Sequence, residues 1–262
     1  MTKTLNEPPR LLADLRTLCL PTIAGHWRRL GEEALRQRQS HGEYLADLAA
    51  LEVSHRREKR VARLISEARF PILKTLDGFD FRSQPAIERE QILQLCTGEF
   101  VGKAVNVVLL GGVGTGKTHL ATALGLALCQ RDLRVRFTTA AELTNTLVES
   151  RGESRLSRKL DQLSRYDAVI IDELGYVPFD KIGADLLFNF VTKVYEKRSL
   201  IVTTNLPFSR WNEVFLDATA AAAVIDRIVH HSVILKTEGE SYRLGQARSS
   251  GRQRALQEEG KN

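Results

Sequence analysis

The chain has 262 residues, a formal net charge of +6, 43% hydrophobic and 27% charged residues. That is globular composition and excludes wholesale disorder, while an isoelectric point near 9.3 permits a polyanionic partner without requiring one. No apolar run approaches the roughly 20 residues of a membrane helix and MTKTLNEPPR lacks a signal-peptide core. The three cysteines, Cys19, Cys96 and Cys129, show no CxxC spacing, so a membrane span, a disulfide framework and a zinc site are all argued against, and a reducing cytoplasm is the expected compartment.

Residues 1–69 read as a small all-helical domain for DNA or partner contact. Apolar residues recur at helical spacing in three groups: Leu11, Leu12, Leu15 and Leu18; Leu45, Leu48 and Leu51; Val61, Leu64 and Ile65. Met1 to Phe70 holds 13 Lys or Arg against 9 Asp or Glu, a net +4 in about a quarter of the chain; a plain helical cap would fit that charge equally well. Pro71 ends the last helix, because its ring disfavours helical geometry in the residue before it.

From residue 70 to about 247 short β-branched runs alternate with longer amphipathic ones. Strands are expected at Asn106–Leu110, Val135–Thr139, Ala168–Ile171, Leu200–Thr204 and Ser232–Leu235. Helices are expected near Lys117–Gln130, Ala141–Glu149, Ser154–Ser164, Ile182–Lys197 and Ala220–His230. In the fourth helix Ile182, Leu186, Phe190 and Val194 share one face. Alternating strands and helices predict βαβ units, hence an α/β fold with a parallel sheet covered on both faces. Residues 248–262 read as a polar, flexible tail.

The strongest local signal is NVVLLGGVGTGKTHLATAL. Gly111, Gly116, Lys117 and Thr118 fit GxxxxGK(S/T), behind a strand and ahead of a helix, the context this motif requires. Glycines at 111, 112, 114 and 116, with Val113 and Thr115 between them, let successive N–H groups turn toward phosphate oxygens, and the helix start adds its dipole. Lys117 would reach the β- and γ-phosphates of a nucleoside triphosphate and Thr118 would ligate Mg²⁺. In DAVIIDELGYVPF a buried strand ends in Asp172 and Glu173. There Asp172 would hold the metal through water and Glu173 would polarise the attacking water; an acidic helix start is the competing reading. Asn205, closing the strand in SLIVTTNLPFSRW, would bond the γ-phosphate and the water, or merely make a turn before Pro207. Arg227, in AAAVIDRIVHHSVIL, would act as an arginine finger on a neighbouring copy, or form a surface pair with Asp226.

GGVGTGKTHLA, VIIDELGY, IVTTNLPFSRW and IDRIVHHSVIL, in that order, resemble the AAA+ ATPases of the IstB and DnaC type, most of all the IstB-like ATP-binding proteins of bacterial insertion sequences. The resemblance extends to ILKTLDGFDF before the core and GESYRLG near the end. It implies an AAA+ P-loop fold with a five-stranded parallel sheet of order 5-1-4-3-2. The site residues it implies are Gly111–Thr118 and His119 as the ATP loop, Asp172 and Glu173 as Walker B, Asn205 as sensor I and Arg227 as the finger. Leu76, Phe79 and Phe81 would lie in the linker that borders adenine, with Leu76 and Phe79 as nucleotide contacts. It implies ATP and Mg²⁺ as cofactors, and oligomers that form on duplex DNA when ATP is bound. It further implies cooperation with the element's transposase in target selection and recombination. Only about 27 polar residues follow Leu235, too few for a full C-terminal lid, with Arg243 the candidate second sensor.

DNA binding needs cations facing phosphates. HRREKRVAR supplies Arg56, Arg57, Lys59 and Arg60, and RGESRLSRKLDQLSR supplies Arg151, Arg155, Arg158 and Lys159; solvated helix faces with Glu partners would look the same. Aromatics do not interleave with them, which favours duplex backbone over stacked single strands. Two other functions remain open: a DnaC-like helicase loader with the same engine, and a small-molecule phosphotransferase, which the Asp172–Glu173 pair disfavours.

Overall fold

Five β-branched runs pair into one parallel sheet in the order β2-β3-β4-β1-β5, formed by β1 (Asn106–Gly111), β2 (Val135–Thr139), β3 (Ala168–Leu174), β4 (Ser199–Thr204) and β5 (Ser232–Thr237). Read from the other flank this is the expected 5-1-4-3-2. The computed structural model describes residues 10–176, 178–215 and 218–239. These fall into two compact units that divide between Arg63 and Leu64. Arg243, most of GESYRLG and the expected tail at 248–262 lie outside the described residues.

In the first unit, α1 (Leu11–Thr17), α2 (Pro21–Gln37) and most of α3 (His41–Ala68) are helical. The apolar grouping of the sequence passes over α2, whose start is set by Pro21 at its first position. The N-cap of α2, Leu20, offers no side-chain acceptor. Glu52 of α3 supplies one instead: its Oε2 accepts the N–H groups of Thr22 at 2.9 Å and Ile23 at 3.0 Å, while Oε1 accepts from Arg56 at 2.9 Å.

The second unit is a three-layer sandwich, and strand alternation builds it. Val107, Leu109, Ala168, Ile170 and Ile201 face one core with α4 (Arg89–Leu95), α5 (Glu99–Gly102), α6 (Lys117–Gln130) and the last turns of α3. Their neighbours Val108, Val169, Ile171, Leu200 and Val202 face the other. That side is covered by α7 (Ala140–Glu149), α9 (Lys181–Val194), α10 (Asn212–Phe215) and α11 (Ala218–Val229), with Leu156 and Leu160 of α8 (Glu153–Leu163) packed against it. Strands buried on both faces explain the unbroken apolar runs of the sequence. In α6, Leu120 to Leu126 is buried without a break; a Cβ on Gly125 would sit 2.7 Å from Ile170 and 2.8 Å from Phe70, so only glycine lets this helix lie so close to the sheet.

Helix ends follow the local chemistry. A capping box joins Thr139 and Glu142 at the start of α7, and Asp180 caps α9 through the Gly183 N–H. β3 runs past its expected end at Ile171 to Leu174, with a register shift against β4 between those residues. Residues 71–88 hold two 3₁₀ turns that periodicity does not reveal. The cysteines are free, and burial pushes the Cys129 thiol up to about 11. Among the described residues no helix is long and apolar enough to cross a membrane.

Burial works to raise the Glu52 carboxyl, but the Ile23 N–H, Arg56 and the Thr22 N–H hold it below the usual carboxylate range. A depressed carboxyl contributes stability above its unfolded pKa and loses it as pH falls through the folded one. Replacing Glu52 with Gln should therefore cost about 1–2 kcal/mol at neutral pH. It should also flatten the loss of stability below about pH 4, as read by denaturant melts with Trp27 fluorescence.

Candidate active site

Strand registers decide what meets at the carboxyl edge of the sheet. Leu110 lies beside Thr204, and Asp172 beside Thr139, so the chain leaves β1, β3 and β4 at one edge, where open parallel sheets hold their ligands. Between β1 and α6 the loop turns on Gly114 at φ 79° and Gly116 at φ 92°, left-handed conformations that glycine adopts without a Cβ clash. Gly116 caps α6 without a side-chain acceptor, which leaves the first-turn N–H groups for an anion. Lys117 folds over the loop and donates Nζ–H to the carbonyls of Gly111 at 2.8 Å and Gly112 at 2.6 Å. Phosphate oxygen is a stronger, charge-assisted acceptor than a carbonyl, so the ammonium can exchange one for the other without leaving the loop.

The loop is latched from below by β5. Thr115 Oγ1 donates to the Gly112 carbonyl at 2.9 Å and lies 2.6 Å from Thr237 Oγ1, which also approaches the Leu110 carbonyl at 3.4 Å. Both threonines are buried, and a Cβ on Gly111 would collide with Thr237. The motif predicts the glycine but gives no hint of Thr237, a distant residue identified only by strand pairing.

Asp172 is 4% exposed and gripped by two hydroxyls. Thr118 Oγ1 donates to its two oxygens at 3.0 and 3.1 Å, and Thr203 Oγ1 donates to Oδ1. Thr203 in turn accepts the Glu173 N–H at 2.9 Å. That bond fixes the turn that leaves Glu173 exposed at φ 61°, a left-handed conformation costing a non-glycine residue about 1 kcal/mol or more. One buried carboxylate and one exposed one thus stand side by side, their environments pushed apart by a single hydroxyl. The Thr118 hydroxyl and Asp172 carboxylate are hard oxygen donors, a set that suits Mg²⁺ shared with phosphates and water. Thr203 is the residue the sequence undervalued; its position one turn of the pleat before Asn205, in a TTN strand end, is the available signal.

Beside the loop, residues 71–83 roof a cavity of about 380 Å³ lined by Pro71, Ile72, Phe79, Gly116, His119 and Thr122 among others. Phe79 is buried, and a Cβ on Gly116 would come within 2.7 Å of its ring. His119 bonds the Thr75 carbonyl at 2.8 Å and meets Phe79 edge-on at 5.4 Å. One expectation changes here. Leu76, like its linker neighbour Phe81, packs against the core and does not line the cavity; Pro71, Ile72 and Lys74 line it instead. Ile72, 64% exposed, is an apolar residue on open surface beside a polar loop. Val113 stands at the loop tip, also 64% exposed and away from the cavity.

Asn205 is half-buried just past the end of β4, and its amide makes no hydrogen bond among the described residues. Arg227, on α11, donates Nη1–H to the Ala223 carbonyl at 3.0 Å and lies 4.8 Å over the Phe188 ring; none of these partners is in the phosphate loop. Of the basic residues on α3, Arg56 is engaged with Glu52 and the Cys19 carbonyl, while Arg57, Lys59 and Arg60 are exposed. Arg151, Arg155 and Arg158 are exposed and Lys159 is half-buried.

Comparison with known proteins agrees with this geometry. The profile of the family described as IstB-like ATP binding protein matches residues 13–250. The ATP-binding protein of insertion sequence IS21 from Pseudomonas aeruginosa is 39% identical over 237 residues, 90% of this chain and 89% of its own. That of IS5376 from Geobacillus stearothermophilus is 36% identical over 242 residues, 92% and 94% of the two chains. Among solved structures, AMPPCP-bound DnaA from Aquifex aeolicus superposes with a TM-score of 0.52 at 18% identity, over 71% of this chain and 56% of that one. DnaI does so with a TM-score of 0.51 at 18%, over 64% and 89%; at such identities both show the fold alone.

If the hydroxyl latch sets the loop, Thr237→Val should keep the fold but weaken nucleoside-triphosphate binding about 5- to 10-fold, the worth of one buried hydrogen bond. Fluorescent-nucleotide titration reads this, and an unchanged affinity would show the loop to be self-supporting.

Proposed function

The chain belongs to the IstB-like ATP-binding protein family and is an AAA+ ATPase, and from that premise we propose that it hydrolyses ATP at sites shared between copies gathered on duplex DNA, in the service of the transposase of its insertion sequence. The observation that carries the hydrolysis part of the reading is the Thr118–Asp172–Thr203–Glu173 network, which sets a buried carboxylate that would hold Mg²⁺ beside an exposed one that would act as the base. The loop N–H groups and Lys117 hold the β- and γ-phosphates, and the cavity under Phe79 receives the base. Bound at Thr118 and Asp172, Mg²⁺ supplies neutralisation of charge on the transferred phosphoryl group. Glu173 orients a water and accepts its proton as the oxygen bonds to the γ-phosphorus and the bond to the bridging oxygen breaks, releasing ADP. Asn205 holds that water against the γ-phosphate.

The missing cation comes from a second copy. Arg227 is held on an outer helix by Phe188 and Ala223, and the role that suits it is a finger offered to a neighbour. Support for DNA as the scaffold is electrostatic: a +6 chain with exposed cations on α3 and α8 gains affinity from counterion release. Support for the transposase is the name of the relatives, proteins of insertion sequences. A cytoplasmic location goes with that role.

The test is ATP turnover with and without duplex. Glu173→Gln should bind ATP and stay assembled on DNA while turnover stops. Arg227→Ala should lose about 10³-fold in turnover with nucleotide affinity of the single chain intact. Mixing the two variants should restore part of the activity, since some interfaces then pair an intact Glu173 with an intact Arg227. Full turnover by Arg227→Ala would end the shared-site reading.

A further inference from the structure

A second cavity, about 270 Å³, opens at the flank of the sheet formed by β2. β2 is separated from β1 by β3 and β4, so about 14 Å of sheet lies between this cavity and the strand that carries the phosphate loop. Its walls come from three elements that bring cations together. Arg69 follows the end of α3, Arg136 lies on β2, and Lys159 lies on α8. Arg136 and Thr138 share the cavity face of β2 while Val135 and Phe137 fill the core behind it, as the two-residue period of a strand requires. Thr146 and Gln162 add neutral polar groups to the lining.

The charges here do not balance within the protein. Among the described residues Arg69, Arg136 and Lys159 make no ion pair. Glu67 is the one carboxylate on the lining among the described residues, against three cations, and the nearby Glu142 is occupied in capping α7. Burial and the Arg69 guanidinium both work against the charged form of Arg136, opposed only in part by Tyr166 and Glu142. Arginine nonetheless stays protonated, so the half-buried Arg136 and Lys159 are gathered with the exposed Arg69, a concentration of like charge that a bound anion would offset. The space is many times the roughly 10–15 Å³ one water needs, room enough for a tetrahedral oxyanion with an ester substituent. A planar guanidinium presents two parallel N–H groups to such an anion, which a lysine in its place would not.

We propose that this cavity is a binding site for a phosphodiester phosphate of duplex DNA, gripped by the fork of Arg136 and flanked by Arg69 and Lys159. The proposal rests on the DNA reading above and extends it to a site that motif and charge-run inspection miss, since Arg69 and Arg136 belong to neither basic run. The occupant is argued from continuity: Lys159 is on the lining, and Arg155 and Arg158 stand exposed on the preceding turn of the same helix, so a backbone seated in the cavity would run on along α8.

The experiment uses the full chain and a labelled duplex, by fluorescence anisotropy across a salt series, beside titration with inorganic phosphate. Wild type should bind duplex with a steep salt dependence. Arg136→Gln and Lys159→Gln should each weaken binding about 5- to 10-fold at low salt and lower the salt slope by about one, with ATP affinity unchanged and melting temperature not lowered. Arg136→Lys should recover only part of the loss. Lys159→Gln, on a helix surface, keeps the test valid if Arg136→Gln folds poorly. Wild-type binding to duplex with no change in slope for either variant would overturn this site while leaving the DNA reading intact. Loss of inorganic phosphate binding in the variants with duplex affinity unchanged would assign the cavity to a free phosphate and overturn the DNA occupant. Failure of the wild type to bind duplex at all would overturn both.

Discussion

The second unit is organised around one buried carboxylate at the sheet edge that has to be correctly aimed. Asp172 is buried, and its oxygens accept hydroxyls from two other segments, Thr118 on α6 and Thr203 on β4. Those hydroxyls reach it only if β1, β3 and β4 are adjacent and in register, and adjacency in that order requires each crossover to pass over a face of the sheet. The fully apolar strands, the buried α6 and the glycine at 125 that lets it lie close are therefore conditions for the carboxylate's geometry. A buried anion without those partners would cost several kcal/mol.

The same hydroxyl that steadies Asp172 also shapes its neighbour. Thr203 accepts the Glu173 N–H, and the left-handed turn at Glu173 goes with an irregularity that interrupts the β3–β4 ladder before it resumes at Leu174. Backbone strain at Glu173 is tolerated because the surrounding sheet over-determines it. One threonine thus divides two adjacent carboxylates into different environments, which is how a fold assigns them different work.

Much of this is legible in the amino-acid sequence, and what is not has a common cause. The strand order comes from the family resemblance, whereas the five strands and their parallel sheet, the loop between Gly111 and Thr118 and the Asp172–Glu173 pair follow from local pattern: a period, a spacing, a turn residue. Thr237 and the pair Arg69 and Arg136 do not, because their roles arise from neighbours more than sixty residues away brought together by strand pairing and helix packing. Leu76 was expected among the nucleotide contacts on family resemblance and instead packs against the core, since three-residue turns carry too little periodicity to reveal which way a side chain points. Glu52 shows the same limit in the first unit: an acid on a polar helix reads as solvated, yet it closes the end of a helix thirty residues earlier.

The flank formed by β2 has a further effect. A strand with only one neighbour offers its free N–H and C=O groups to any other strand that drifts past, and such edges invite sheets to join. Here that margin carries Arg134 and Arg136, and like charges meeting like charges on a second copy repel. Crowding many copies onto one polymer, as proposed, raises the local concentration at which edge-to-edge joining would become irreversible. A guarded margin leaves contact between copies to side chains, so the gathering can be undone when its task is finished.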